Sequence, residues 1–129
     1  MNEIQALKEK LQNFRVLFAD DEKEVRDGMS IFLKKFFNDV VICSDGIEAL
    51  QEFQKNNNFD IVITDILMPK MGGIALVNEI KNIKPEMIIV FITALRNSIP
   101  CEEQSNICLK KPVTFDTLIN ILKRIGDRL

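Results

Sequence analysis

Four apolar runs of this chain each end on a polar group suited to cation or phosphorus chemistry. Asp20 and Asp21 close "VLFADD", Asp65 closes "IVITD", Thr93 closes "VFIT", and Lys110 and Lys111 follow "ICL" just ahead of Pro112. Three carboxylates brought close together repel one another, and their pKa values rise. A hard divalent cation removes that conflict. The chain contains no histidine, so an all-oxygen donor set points to Mg2+. A carboxylate beside such a cation can attack phosphorus and form an aspartyl phosphate. Phosphoryl transfer asks mainly for positioning and charge neutralisation. A lysine ammonium supplies one point charge, and a threonine hydroxyl can hydrogen-bond another phosphoryl oxygen.

Singly, each residue has an ordinary role. Asp65 would be a helix cap, Asp20, Asp21 and Glu22 an acid-rich helix start, Thr93 a packing residue, and the lysines solvated surface. Their occurrence together at four different strand ends carries the functional reading.

The elements that must hold these groups alternate between two periods. "RVLFAD" (15–20), "DVVIC" (39–43), "IVIT" (61–64), "MIIVFIT" (87–93) and "ICL" (107–109) are short, wholly apolar or nearly so. Such runs fit parallel strands covered on both faces. Helical stripes lie between and after them: Val25, Met29, Phe32, Leu33 and Phe36; Ile47, Leu50 and Phe53; Val77, Ile80 and Ile83; and Leu118, Ile121, Leu122, Ile125 and Leu129. The second stripe is entered through Asp45 with Glu48 at capping-box spacing. Pro69, Gly72 and Gly73 shape a tight loop after Asp65 and let the next helix start at once. Strand–helix repetition predicts right-handed crossovers and an open parallel sheet with helices on both faces. Ligands of such sheets bind outside the carboxyl ends of the strands, which is where the polar groups converge.

Two segments are irregular. Residues 1–14 place Ile4, Leu7, Leu11 and Phe14 at helical spacing ahead of the first strand. This is an N-terminal helical extension, packed on the domain, linking to a partner, or partly frayed. Residues 94–106 hold Pro100 and few apolar side chains, and predict at most a turn or two of helix.

Composition narrows the function. The 129 residues suit one domain. With 17 basic and 19 acidic residues, the net charge of -2 leaves no electrostatic footprint for nucleic acid or a membrane surface. No stretch approaches the ~20 apolar residues of a membrane span. "MNEIQALKEKLQNF" is too charged for a secretory signal. The lack of histidine also removes histidine triads and His-ligated zinc. Cys43, Cys101 and Cys108 are odd in number and lack metal-ligand spacing. They read as reduced thiols of a cytoplasmic protein.

From "VLFADDE" (16–22), "SDGIEAL" (44–50), "IVITDILMPKMGG" (61–73), "VFITA" (90–94) and "KP" (111–112), the chain resembles the receiver domain of bacterial two-component response regulators over residues 15–129. The resemblance implies a flavodoxin-like doubly wound α/β fold with five parallel strands in the order 2-1-3-4-5, here with a shortened fourth helix in 94–106. It implies that Asp65 takes a phosphoryl group from the phosphohistidine of a sensor histidine kinase. Asp21 and Asp65 would ligate Mg2+ directly, Asp20 mostly through water, and Leu67 through its backbone carbonyl. Lys111, directly before Pro112, matches the family lysine, and that bond is commonly cis in the family. An unknown downstream protein or output domain would read the state of the switch.

This chain departs from the pattern at Cys108, where Tyr or Phe is usual, and at Gly72, where Asn or Asp is frequent. The connection from Thr93 to Lys111 is about four residues shorter than usual, which a surface segment absorbs. Two other classes compete with the switch. One is a receiver-like interaction module that is never phosphorylated. The other is a Mg2+-dependent phosphohydrolase of the haloacid dehalogenase type, which wants an Asp-x-Asp after its first strand where this chain has adjacent acids.

Overall fold

A computed structural model of the chain describes residues 2–94 and 107–129. Its strands are β1 (Arg15–Ala19), β2 (Asp39–Cys43), β3 (Ile61–Asp65), β4 (Ile88–Thr93) and β5 (Ile107–Lys110). The helices among the described residues are α1 (Glu3–Leu11), α2 (Lys23–Leu33), α3 (Gly46–Lys55), α4 (Gly73–Ile83) and α5 (Phe115–Arg128). All strand pairs are parallel, in the order β2-β1-β3-β4-β5. This is the doubly wound flavodoxin-like arrangement that the resemblance implied. The expected short helix in 94–106 falls, beyond Ala94, outside the described residues.

Alternation along the strands divides the core into two layers. Val16 and Phe18, Ile61 and Ile63, Val90 and Ile92, and Ile107 and Leu109 pack with α1, α2 and α5. Leu17 and Ala19, Val62, and Ile89 and Phe91 pack with α3 and α4 on the opposite face. Every residue of β3 is buried, because it is the middle strand and is covered twice. The apolar stripes are narrower than the sequence pattern suggests. Ile47, Ile83 and Leu129 are exposed, while Ala49 and Leu76 are buried in place of larger or later residues.

Helix entries follow local chemistry. Asp45 accepts the Glu48 N–H at 2.8 Å. Glu48 reaches back one residue further than a capping box requires, accepting from the N–H and hydroxyl of Ser44 at 3.1 and 2.7 Å. Thr114 and Thr117 form a reciprocal box at the start of α5.

The N-terminal extension is a helix built into the core. Leu7 and Leu11 are buried beside α5 and the end of α2. Glu3 pairs with Lys123 across the same contact, Lys8 lies 5.8 Å over the Phe36 ring, and the Asn38 N–H donates to the Gln12 carbonyl at 3.0 Å. Leu11→Ala is therefore expected to destabilise the fold by about 3 kcal/mol, where a frayed tail would register almost nothing. Denaturant unfolding of the variant checks this.

The cysteines need a correction. Cys43 is a buried free thiol, but Cys108 is disulfide-bonded, so the three are not all reduced. An odd count leaves only one thiol over, and the absence of metal spacing has no bearing on pairing. Burial, then Glu48, Glu52 and Asp45, push the Cys43 thiol up to about 12, which makes it unreactive.

Candidate functional site

The carboxyl ends of β1, β3, β4 and β5 bring the expected residues to one rim of the sheet. Asp20 follows β1 and is completely buried, Asp65 ends β3 at 6% exposure, and Thr93 ends β4 and is buried. The Lys111 N–H donates to the Thr93 carbonyl at 2.9 Å, so the end of β4 fixes the backbone from which the lysine side chain starts. That side chain turns inward. Its Nζ lies 3.1 Å from Asp65 Oδ2 and 3.2 Å from Asp20 Oδ2. Lys110, by contrast, is exposed. The Lys111–Pro112 bond is cis, as the resemblance implied.

The acids form a compact oxygen cluster. One carboxylate oxygen each from Asp20, Asp21, Glu22 and Asp65 lies within 4.8 Å of the others. Asp20 Oδ1 accepts the Glu22 N–H at 2.9 Å, and the Arg26 guanidinium donates to the Asp20 carbonyl at 2.9 Å. Asp20 Oδ2 is buried and makes no aligned hydrogen bond; its contact with Lys111 is ionic only. Leu67 lies exposed in the loop just after β3.

That loop is held by backbone contacts. The Gly73 N–H donates to the Ile66 carbonyl at 2.8 Å, and a Cβ on Gly73 would sit 2.0 Å from the Asp65 carbonyl oxygen. Gly46 abuts the same loop, its N–H donating to the Met71 carbonyl at 3.2 Å. The residue in the left-handed region is Lys70, with φ 69°, rather than either glycine of the loop. The glycines are needed for close approach, and Lys70 makes the sharp turn after Pro69.

A family model for the response regulator receiver domain matches residues 16–123. The chain belongs to the response regulator receiver family. This receiver is 35% identical over 80 residues to the transcriptional regulatory protein HptR of Staphylococcus aureus, covering 60% of the chain and 31% of that protein. It is 30% identical over 118 residues to the CpxR homolog of Haemophilus influenzae, covering 88% of the chain and 51% of the relative. A crystal structure of a response regulator receiver domain protein from Clostridium thermocellum superposes with TM-score 0.79 at 31% identity, covering 90% of this chain and 96% of that one. The receiver thus spans a third to a half of the length of these curated relatives.

The rim of the receiver is electrostatically tense. Burial pushes the Asp65 carboxyl above its ordinary value, against the hydrogen bond from Lys111, and Asp20 adds to the rise. Burial likewise raises Asp20, against the Glu22 N–H and Lys111. For Lys111, burial alone would lower the pKa, but Glu22, Asp65 and Asp20 together raise it. A carboxyl raised in the folded state stabilises the fold below its unfolded pKa and loses that contribution as pH rises through the folded value. In chelator, the melting temperature of the native chain relative to Asp20→Asn is therefore expected to be highest in acid and to fall as pH rises above the ordinary carboxylate range. A difference independent of pH would contradict the cluster's strain.

Two contacts were not expected from sequence. Glu22 pairs with Lys111 at 2.7 Å, and Arg26 braces the Asp20 backbone. The acidic run "DDE" was visible, but a third acid there reads equally well as a solvated helix start. Beside Lys111, an open groove of about 650 Å³ runs between α2 and the start of α5, lined by Val25, Met29, Phe32, Pro112 and Phe115 among others.

Proposed function

We propose that this receiver is a phosphorylation-dependent switch that accepts a phosphoryl group on Asp65 from a sensor histidine kinase, with Mg2+ as cofactor. The observation that carries this reading is the meeting of a buried Asp65 carboxylate with the Lys111 ammonium at 3.1 Å, inside a cluster of carboxylate oxygens.

The donor set suits Mg2+. It is all oxygen, it is anionic, and it includes a buried Asp20 oxygen without a hydrogen-bond donor. Asp21, Asp65 and the Leu67 carbonyl would hold the ion, with Asp20 acting mostly through water. When bound, the ion neutralises charge on the phosphoryl oxygens. The chain's own groups do the rest. Asp65 supplies the carboxylate oxygen that bonds to phosphorus as the bond from phosphorus to the kinase histidine nitrogen breaks, and the departing imidazole takes a proton from water. Lys111 neutralises one phosphoryl oxygen and the Thr93 hydroxyl donates to another. Later attack of water on phosphorus returns Asp65 to its carboxylate. The chain assists these two steps on itself and turns over no separate metabolite. The groove beside Lys111 is an apolar surface next to the nucleophile, suited to a kinase that presents its phosphohistidine there.

The downstream partner is an output domain or a separate protein, as befits relatives named as transcriptional regulatory proteins, and the chain itself does not contact DNA. A cytoplasmic setting belongs to the same proposal; no helix among the described residues is long and apolar enough to cross a membrane. The reading is tested by incubating the chain with a small acyl phosphate. Mass spectrometry is expected to find one phosphoryl group added with Mg2+ and none with chelator. Release of inorganic phosphate from many phosphomonoesters, without a labelled chain, would favour a phosphohydrolase instead.

A further inference from the structure

Lys111 presents its ammonium to three carboxylates that are not equivalent. The Asp20 and Asp65 side chains are buried at strand ends. The Glu22 side chain is 59% exposed. Glu22 stands at the N-cap position of α2, yet its side chain caps nothing. It turns to Lys111 instead, and its 2.7 Å contact is shorter than the 3.1 and 3.2 Å contacts to Asp65 and Asp20.

An ammonium has three N–H donors; Glu22 and Asp65 take two of them, and Asp20 faces the same ammonium as an ionic contact only. A phosphoryl group on Asp65 brings new anionic oxygens to this crowded ammonium, and the contact that is cheapest to break yields first. Asp20 and Asp65 cannot turn to water without leaving the rim, and an unpaired buried carboxylate is costly. Glu22 can rotate outward at little cost, because an exposed ion pair contributes little.

We infer that Glu22 is a positioning residue, a releasable latch that parks the Lys111 ammonium while Asp65 is free and surrenders it when a phosphoryl group arrives. This rests on the reading that Asp65 is the phosphoacceptor. Lys111 is thereby held in place before the reaction, at the expense of competing with the phosphoryl group for the same donor.

The test uses the full chain at saturating Mg2+, established separately for each variant, with beryllofluoride as the phosphoryl mimic. The Lys111 side chain is followed by NMR of lysine-labelled protein. In Glu22→Gln the free-state Lys111 signal is expected to be displaced from that of the native chain. Beryllofluoride should bind about 3–10-fold more tightly, the scale of one charge-assisted contact. Glu22→Asp keeps the charge but shortens the reach, and should move both readouts in the same direction. Native-level values in both variants overturn the latch. So does tighter binding in Glu22→Gln alone, which would reduce the effect to bulk charge. Failure of the native chain to take beryllofluoride at all strikes the Asp65 reading itself, a distinct result.

Discussion

Asp65→Asn is expected to take up no phosphoryl group under conditions that label the native chain fully. The argument is chemical first. The amide has the same shape and fits the same place at the end of β3, but it has no anionic oxygen to bond to phosphorus. Mis-folding cannot stand in for that loss. Burial raises the native Asp65 pKa, so the ionised carboxylate works against folding near neutral pH. The uncharged variant is therefore expected to melt no lower than the native chain in chelator. The two measurements belong together: mass spectrometry for labelling and thermal unfolding for integrity. Labelling of the folded variant at the native level would remove Asp65 from the role of acceptor.

Gly73→Ala is expected to destabilise the receiver by about 3 kcal/mol or more, enough to lower the melting temperature by roughly 10 °C. The added Cβ would lie 2.0 Å from the Asp65 carbonyl oxygen, 3.0 Å from its carbon and 3.1 Å from the Ile66 Cα. All three are backbone atoms in or just after the middle strand, and a flexible side chain is not available to yield. Relief requires moving the start of α4 or the end of β3. Moving β3 displaces Asp65 relative to Lys111, so phosphorylation should slow as well. Gly28→Ala is the matched control. Gly28 lies inside α2, and a Cβ there meets nothing within 4 Å, so alanine should stabilise by about 0.5–1 kcal/mol through helix propensity. Equal and small effects at both positions would show that the close approach at Gly73 is not a constraint.

The strands were readable because each is a short apolar run, and β3 most of all because it is buried on both faces. Once those runs are placed side by side, Asp20, Asp65, Thr93 and Lys111 must fall on one rim, since parallel strands all point the same way. Lys111 could be separated from Lys110 only through the resemblance, because both carry the same charge at neighbouring positions. What was not readable depends on contacts between distant segments. Ile47 and Ile83 continue apolar stripes but point past the edge of the core, while the smaller Ala49 is fully buried. Gly46 and Gly73 look like flexible loop residues in sequence. Their use is the close approach of backbone from another segment, which no local pattern reveals. The left-handed turn at Lys70 breaks the rule that glycine takes such positions. Glu22 was lost in an acidic run that looks the same whether it faces water or hooks a lysine across the sheet.

The position of the phosphoryl group decides most directly whether this rim works as described. The native chain would be incubated with a small acyl phosphate and Mg2+, reduced with borohydride to mark the acyl phosphate, and digested for peptide sequencing by mass spectrometry. The predicted result is a single reduced residue at Asp65, within the stretch "FDIVITDILMPKMGG", and none when the cation is chelated. A mark on Asp20, Asp21 or Glu22 with Asp65 unmodified would contradict it.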